Sequence, residues 1–139
     1  MFFFREQHNL KIECELVYFD SIICALLSNE FDQKFLIHHL YHDENKKATW
    51  YICPISHNHV RPLLIGRTTL IHALEHGRTQ GFLTEAIEKD NHFQLSNTRI
   101  LNDFSEINSF LPNANMVFED DEFEEYLSEE IEDQLKEQG

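Results

Sequence analysis

The first half of the chain alternates between apolar and polar positions, as strands with one buried face do. Residues 11–19 show this alternation, and the runs 22–28, 34–42 and 49–55 are apolar enough to be further strands. Polar, turn-forming residues separate these runs, so we expect neighbouring antiparallel strands in a β-meander. Within 11–19, one predicted face carries four side chains: Ile12, Cys14, Leu16 and Tyr18.

The pattern changes after residue 55. Ser56 is a candidate N-cap for a short helix that Gly66 would close. Thr68 or Thr69 would cap a second short helix that stops at Gly77. Two short helices are therefore predicted in the middle of the chain.

The last third predicts a hairpin, an irregular stretch and one long helix. Residues 81–89 and 92–96 flank a turn-like sequence and suit two more strands, while residues 102–119 show no regular period. Residues 121–138 have the clearest helical pattern in the chain. We therefore predict an α+β fold: an antiparallel β-meander of about five to six strands, two short helices and an acidic amphipathic C-terminal helix.

The negative charge is concentrated at the carboxyl end. The whole chain has a formal net charge of −14, and residues 118–139 hold 11 acids and one base. This asymmetry predicts a domain over residues 1–117 and an acidic helix or tail over residues 118–139. Such a surface repels phosphate backbones, so we expect no direct nucleic-acid binding and instead a protein partner with a basic surface.

The acidic tail carries a narrow apolar stripe with a period of four residues. We predict that its apolar side chains anchor a partner and that its acids steer it, which gives these partner-binding residues: Phe123, Glu124, Glu125, Tyr126, Leu127, Glu129, Glu130, Ile131, Glu132, Asp133 and Leu135. The stripe also suits a helix laid on its own domain, or pairing with a second copy in a homodimer.

Composition narrows the remaining classes of protein. No apolar run reaches the ~18 residues that span a bilayer, and the amino terminus does not resemble a secretory signal, so we expect a cytoplasmic protein that does not associate with membranes. The cysteines Cys14, Cys24 and Cys53 lie far apart in apolar runs and predict reduced core thiols. The chain has no G-x-S-x-G motif and no glycine-rich phosphate loop, which argues against a nucleophilic enzyme, and we predict neither a catalytic residue nor a cofactor.

One segment matches a metalloprotease pattern. His72, Glu75 and His76 spell H-x-x-E-H, in which two imidazoles on one helix face bind zinc and the glutamate acts as a general base. The sequence offers no obvious third ligand, and Gly77 ends the helix directly after the second histidine. A metal-dependent hydrolase is therefore the alternative enzymatic hypothesis, with His72 and His76 as its candidate ligands.

A second histidine group lies in the predicted strand 34–42. Alternation would place His38 and His42 on one face, where His57 or His59 from the following loop would join them as metal ligands. A solvated sheet face explains the same pattern.

The body of the chain resembles a small bacterial domain family of unknown function, over roughly residues 12–112. The resemblance rests on short motifs in order, at residues 15–20, 34–36, 50–56, 63–74, 82–83 and 111–112. Family members carry a Tyr-Tyr-Asp-Gly-Pro turn, where this chain has Ser21-Ile22 in place of Gly-Pro, and a Trp-x-x-x-Pro-Val-Ser strand end. The resemblance implies the fold and no reaction. It also implies that His72 and His76 fall where members do not usually have histidine.

Taken together, the sequence predicts a non-enzymatic protein-interaction module. We expect an accessory, immunity or inhibitor protein of a bacterial or phage system that acts by binding a partner protein. The alternatives are the metal-dependent hydrolase and an acidic nucleic-acid mimic that blocks a DNA- or RNA-binding protein.

Overall fold

The computed structural model describes residues 8–42, 44, 47–75 and 81–129. The six strands are β1 (His8–Phe19), β2 (Ser21–Ser28), β3 (Lys34–His42), β4 (Ala48–Ile55), β5 (Phe82–Lys89) and β6 (His92–Ile100). Helices α1 (His57–Leu64) and α2 (Leu70–Glu75) join β4 to β5, two 3-10 turns follow β6, and residues 124–129 are helical. Within the described residues, every helix is too short or too polar to cross a membrane.

The six strands form one closed antiparallel barrel. Each strand pairs with the next along the chain, and β1 pairs with β6 to close the ring. Leu10 lies opposite Phe93 in this closing ladder, and both side chains are fully buried. The predicted antiparallel strands and short helices are thus confirmed in outline, but the chain is mostly β and the barrel closure was not predicted.

The interior of the barrel is one of two hydrophobic clusters. All six strands contribute to it, which identifies it as the space that the ring encloses. Its members are Leu10, Ile12, Ile22, Ala25, Leu27, Phe35, Ile37, Trp50, Ile52, Ala86, Phe93 and Leu95.

The second cluster covers the outer surface of the barrel. Alternate residues of the same strands face outward, such as Leu26, Leu36 and Cys53, and pack against both helices and the segment after β6. Both faces of β2, β3 and β4 are therefore buried, which explains their nearly continuous apolar sequences.

Strand β1 changes face along its length, which makes the predicted shared face wrong. Ile12 belongs to the interior cluster, Leu16 belongs to the outer cluster, and Tyr18 is exposed. Register shifts between Ile12 and Cys14, and twice more before Tyr18, break the alternation that the prediction assumed. Such irregularities reorient the side chains that follow them.

The two helices begin where the sequence predicted. Ser56 occupies the N-cap of α1, although its hydroxyl bonds the His59 ring at 2.9 Å and not a backbone amide. The Thr69 hydroxyl accepts a hydrogen bond from the amide of His72 at 3.1 Å, so Thr69 is the residue that caps α2. Leu70 and Leu74, on the inner face of α2, are fully buried.

The first part of the acidic tail packs on the barrel. Phe118, Phe123 and Leu127 are buried members of the outer cluster. The chain also passes very close to Gly66, whose φ of +80° and missing side chain leave room for the Phe118 backbone. The boundary at residue 118 remains a prediction, but residues 118–129 pack against the barrel.

Candidate functional site

The predicted partner-binding residues fall into two groups in the structure. Phe123 and Leu127 point into the protein's own outer cluster, and Tyr126 is partly buried against it. Glu124, Glu125 and Glu129 are exposed. The remaining predicted residues lie outside the described part of the chain: Glu130, Ile131, Glu132, Asp133 and Leu135.

Burial of the apolar side chains leaves an acidic surface. We call residues 119–129 the acidic segment, and seven of its side chains are exposed carboxylates: Glu119, Asp120, Asp121, Glu122, Glu124, Glu125 and Glu129. The amide of Glu119 donates to the Glu122 carboxylate at 3.3 Å, and the amide of Leu127 donates to the Phe123 carbonyl at 3.0 Å. These bonds tie the backbone of the segment locally, and its carboxylates lie on the exposed side.

The H-x-x-E-H segment is described only in part. His72 and Glu75 are exposed on α2, while Leu70 and Leu74 face inward, so α2 packs on the barrel by one face and presents these two polar side chains to solvent. His76 lies outside the described residues. No group of three or more His, Cys, Asp or Glu side chains within the described ranges is arranged to hold a metal ion.

The histidines of β3 do not form the predicted pair of His38 and His42. A register shift between His39 and Tyr41 changes the alternation, and it brings the rings of His39 and His42 to a centroid distance of 4.9 Å. His38 is instead buried on the outer side, with Nδ1 2.6 Å from the His39 carbonyl. Burial lowers the pKa of His38, and burial together with nearby His42 lowers that of His39.

The cysteines are free thiols, as predicted. Cys24 and Cys53 are completely buried, and burial raises the pKa of both thiols, that of Cys53 to about 12. Burial and the nearby Glu15 carboxylate raise the pKa of Cys14 to about 11. Thiols held protonated in this way are poor nucleophiles at neutral pH.

A cleft at one rim of the barrel was not predicted. This rim is where β1, β3 and β5 end and where β2, β4 and β6 begin. The cleft has a volume of about 440 Å³ and is lined by Glu15, Tyr18, Asp20, Ser21, Ile22, Trp50, Glu88 and Phe93. We call it the rim cleft.

The rim cleft exists because β1 extends beyond the end of its ladder with β6. The β1–β6 ladder stops at Lys11 and His92, but β1 continues to Phe19 and turns into β2. The ladder between β2 and β3 begins only at Cys24. The tip of the β1–β2 hairpin therefore extends beyond the rim as a two-stranded ribbon, and the cleft lies between this ribbon and the barrel mouth.

Trp50 and Phe93 line the rim cleft from the barrel interior, where both side chains are buried. Their ring centroids lie 4.9 Å apart at an interplanar angle of 63°. The His39 ring also contacts Trp50, with ring centroids 5.1 Å apart. The indole Nε1 of Trp50 is buried and has no hydrogen-bond partner among the described residues.

The sequence carried only a weak signal of this cleft. Glu15, Asp20 and Glu88 belong to three different segments, and alternation alone places Glu15 and Tyr18 on opposite faces of β1. Only the register shifts in β1 bring those two side chains to the same cleft.

Comparisons with protein-family models, with curated proteins and with solved structures each gave no match to this chain. The resemblance to a bacterial domain family therefore stays a prediction.

Proposed function

We propose that the chain is a non-enzymatic interaction module that binds to a basic surface of a partner protein. The observation that carries the proposal is the inward packing of Phe123 and Leu127, which turns the carboxylates of the acidic segment toward solvent. This modifies the interaction predicted from sequence, because these two side chains serve as anchors to the protein's own barrel. The partner would contact the charges.

Carboxylates on a helix that is packed on the barrel suit recognition better than a disordered acidic tail of equal charge. Because the helix at 124–129 is already packed on the barrel, binding does not have to repay the entropy of ordering it. The concentrated negative charge would also steer a basic partner toward this surface and repel nucleic-acid backbones. These two effects support a specific protein partner.

The expected role is that of an accessory, immunity or inhibitor protein of a bacterial or phage system. A module that covers a basic surface by binding can block whatever that surface normally contacts. Where the blocked surface is a nucleic-acid cleft, the same carboxylates would act as the nucleic-acid mimic considered from the sequence. In a competition assay, the chain and a labelled nucleic-acid duplex compete for the partner. Displacement of the duplex distinguishes a nucleic-acid mimic from an inhibitor that covers some other basic surface.

A matched pair of charge variants tests the proposal. Glu124, Glu125 and Glu129 are replaced by Gln in one variant, and the exposed Glu30, Glu75 and Glu106 are replaced by Gln in the other. Both variants change the net charge equally. We expect the first to lose about fivefold in affinity for an oligo-arginine peptide, since exposed charges contribute a few tenths of a kcal/mol each.

The control variant should bind the peptide like the native chain. Equal losses in both variants would mean that net charge alone attracts the peptide, and they would contradict a role for the acidic segment. Circular dichroism checks that both variants remain folded, which we expect because every substituted side chain is exposed.

A further inference from the structure

We propose that His39 is a pH-sensitive switch: when its ring takes up a proton, the ring leaves its contact with Trp50 and uncovers the barrel interior at this rim. The switch goes beyond the proposed function, because it acts at the end of β3 and involves no residue of the acidic segment.

The His39 ring lies between the barrel interior and solvent. Its centroid is 5.1 Å from that of Trp50 and 4.9 Å from that of His42. Trp50 packs in turn against Phe93 inside the barrel, with ring centroids 4.9 Å apart. His39 is half-buried and His42 is exposed. A displacement of the His39 ring would therefore open a path for solvent to the buried indole.

The contact between His39 and Trp50 holds two buried nitrogen atoms that have no hydrogen-bond partner among the described residues: His39 Nε2 and Trp50 Nε1. The indole N–H can only donate, whereas one nitrogen of a neutral imidazole can accept. A protonated imidazole donates from both of its nitrogens. Protonation would thus leave two buried donors and no acceptor, which favours a ring that has moved into water.

The charges that face the His39 ring add to this effect. His42 is the ionisable neighbour on β3, and the facing residues of β4, 48–50, contain no ionisable group. Three carboxylates line the rim cleft together with Trp50: Glu15, Asp20 and Glu88. Burial first, and then His42, lowers the pKa of His39 from 6.5, and no carboxylate raises it. The folded chain therefore holds the ring neutral until the pH falls through this lowered pKa.

Attraction between a cation and the indole ring opposes the release of His39. A cation near an indole gains less, however, than the burial of an unpaired charged donor costs. The balance therefore favours release of the protonated ring.

The His39 side chain can move while the backbone of β3 stays in place. The ladder between β2 and β3 runs no further than His38, so at His39 the strand pairs with β4 alone among the described strands. One side of His39 thus lacks a neighbouring strand, and a change of rotamer can carry the ring outward. The contact of Tyr41 with Phe110, at a centroid distance of 5.0 Å, and the pairing of Tyr41 with Thr49 still hold the end of β3.

The chain carries its own reporter of the switch, because Trp50 is the only tryptophan. Acrylamide quenches the emission of indole rings that it can reach, so its effect on the full chain is measured from pH 7.5 down to pH 5. We expect weak quenching at pH 7.5 and a rise once the pH falls below 6.5. Far-UV circular dichroism should stay constant over this range, because the barrel remains closed.

Three variants assign the change to His39. His39→Phe keeps an aromatic ring beside Trp50 but cannot take up a proton, so quenching should stay weak at every pH. His42→Gln should move the midpoint to higher pH, since His42 lowers the pKa of His39. His38→Gln should keep the native transition, because His38 lies on the outer side of β3 and its ring contacts the His39 carbonyl.

Several results would overturn the inference. These are quenching that stays weak in the native chain, an equal rise in His39→Phe, or a midpoint in His42→Gln that does not increase. Loss of the transition in His38→Gln would assign it to the wrong histidine, and a parallel loss of circular dichroism would mean that the whole barrel unfolds. Should His39→Phe fail to fold at pH 7.5, His39→Gln takes its place, because glutamine cannot take up a proton either.

Discussion

Phe118 and Phe123 meet edge to face, with ring centroids 5.1 Å apart and planes at 88° to one another. This pair lies at the start of the acidic segment, and both rings are buried in the outer cluster. Leu127 follows one helical turn after Phe123 and packs into the same cluster. The contact therefore sets which face of the helix the barrel covers and which carboxylates remain in water.

Removing the Phe123 ring should destabilise the protein. Phe123→Ala deletes a buried aromatic side chain and should lower the free energy of unfolding by about 3 kcal/mol. Phe31→Ala is the matched control, because the Phe31 side chain is 77% exposed, and it should change stability by less than about 0.5 kcal/mol. Urea denaturation of both variants measures the difference. Equal stabilities would mean that the segment does not pack on the barrel.

Gly66→Ala should loosen the acidic segment. A Cβ at this position would collide with the Phe118 carbonyl, and the φ of +80° is unfavourable for alanine. We expect a loss of at least about 1–2 kcal/mol and faster hydrogen exchange in residues 118–129. Arg67→Ala, at the neighbouring exposed position, should leave both unchanged. Unchanged exchange in Gly66→Ala would contradict the close approach of Phe118.

Stability should fall as the pH rises above 9. Burial raises the pKa of Cys53 from 9.0 to about 12, so the unfolded chain loses this proton first. The stabilisation is fully present below pH 9 and is lost as the pH rises toward the folded value, by about 1.4 kcal/mol per pH unit for each such thiol. Cys53→Ala should reduce this slope. Ile52→Val should lower stability at every pH and keep the slope, and a slope unaltered by Cys53→Ala would rule out the thiol as its source.

Acid should also weaken the fold, through a histidine. Burial lowers the pKa of His38 below 6.5, so the unfolded chain takes up a proton before the folded chain does. The stabilisation is present above pH 6.5 and is lost as the pH falls through the folded value. His38→Gln should reduce the loss between pH 7 and pH 5, measured by urea denaturation, while the exposed His72→Gln should not. If both variants behave alike, His38 is not the responsible group.

The sequence predicted local structure well because local pattern determines it. The strands, the two helices and the Thr69 cap were all within reach of alternation and capping rules. Barrel closure could not be predicted from these rules, because it depends on the pairing of Leu10 with Phe93, which are far apart in the sequence. Periodicity within a segment carries no information on such a pairing.

The sites were harder to predict for a related reason. Phe123 and Leu127 of the predicted apolar stripe are buried, but a stripe does not specify whether Phe123 packs on its own barrel or on another protein. The rim cleft depends on register shifts in β1, which leave Ile12 and Leu16 in different clusters. No motif in the sequence signals those shifts.

Carboxylate footprinting tests the central claim most directly. Exposed carboxylates of the native chain are coupled to an amine with a carbodiimide, with and without the oligo-arginine peptide, and the labelled sites are quantified by mass spectrometry. The account predicts that the peptide protects Glu124, Glu125 and Glu129 and leaves Glu30, Glu75 and Glu106 labelled as before. Equal protection of the two sets, or protection of neither, would contradict it.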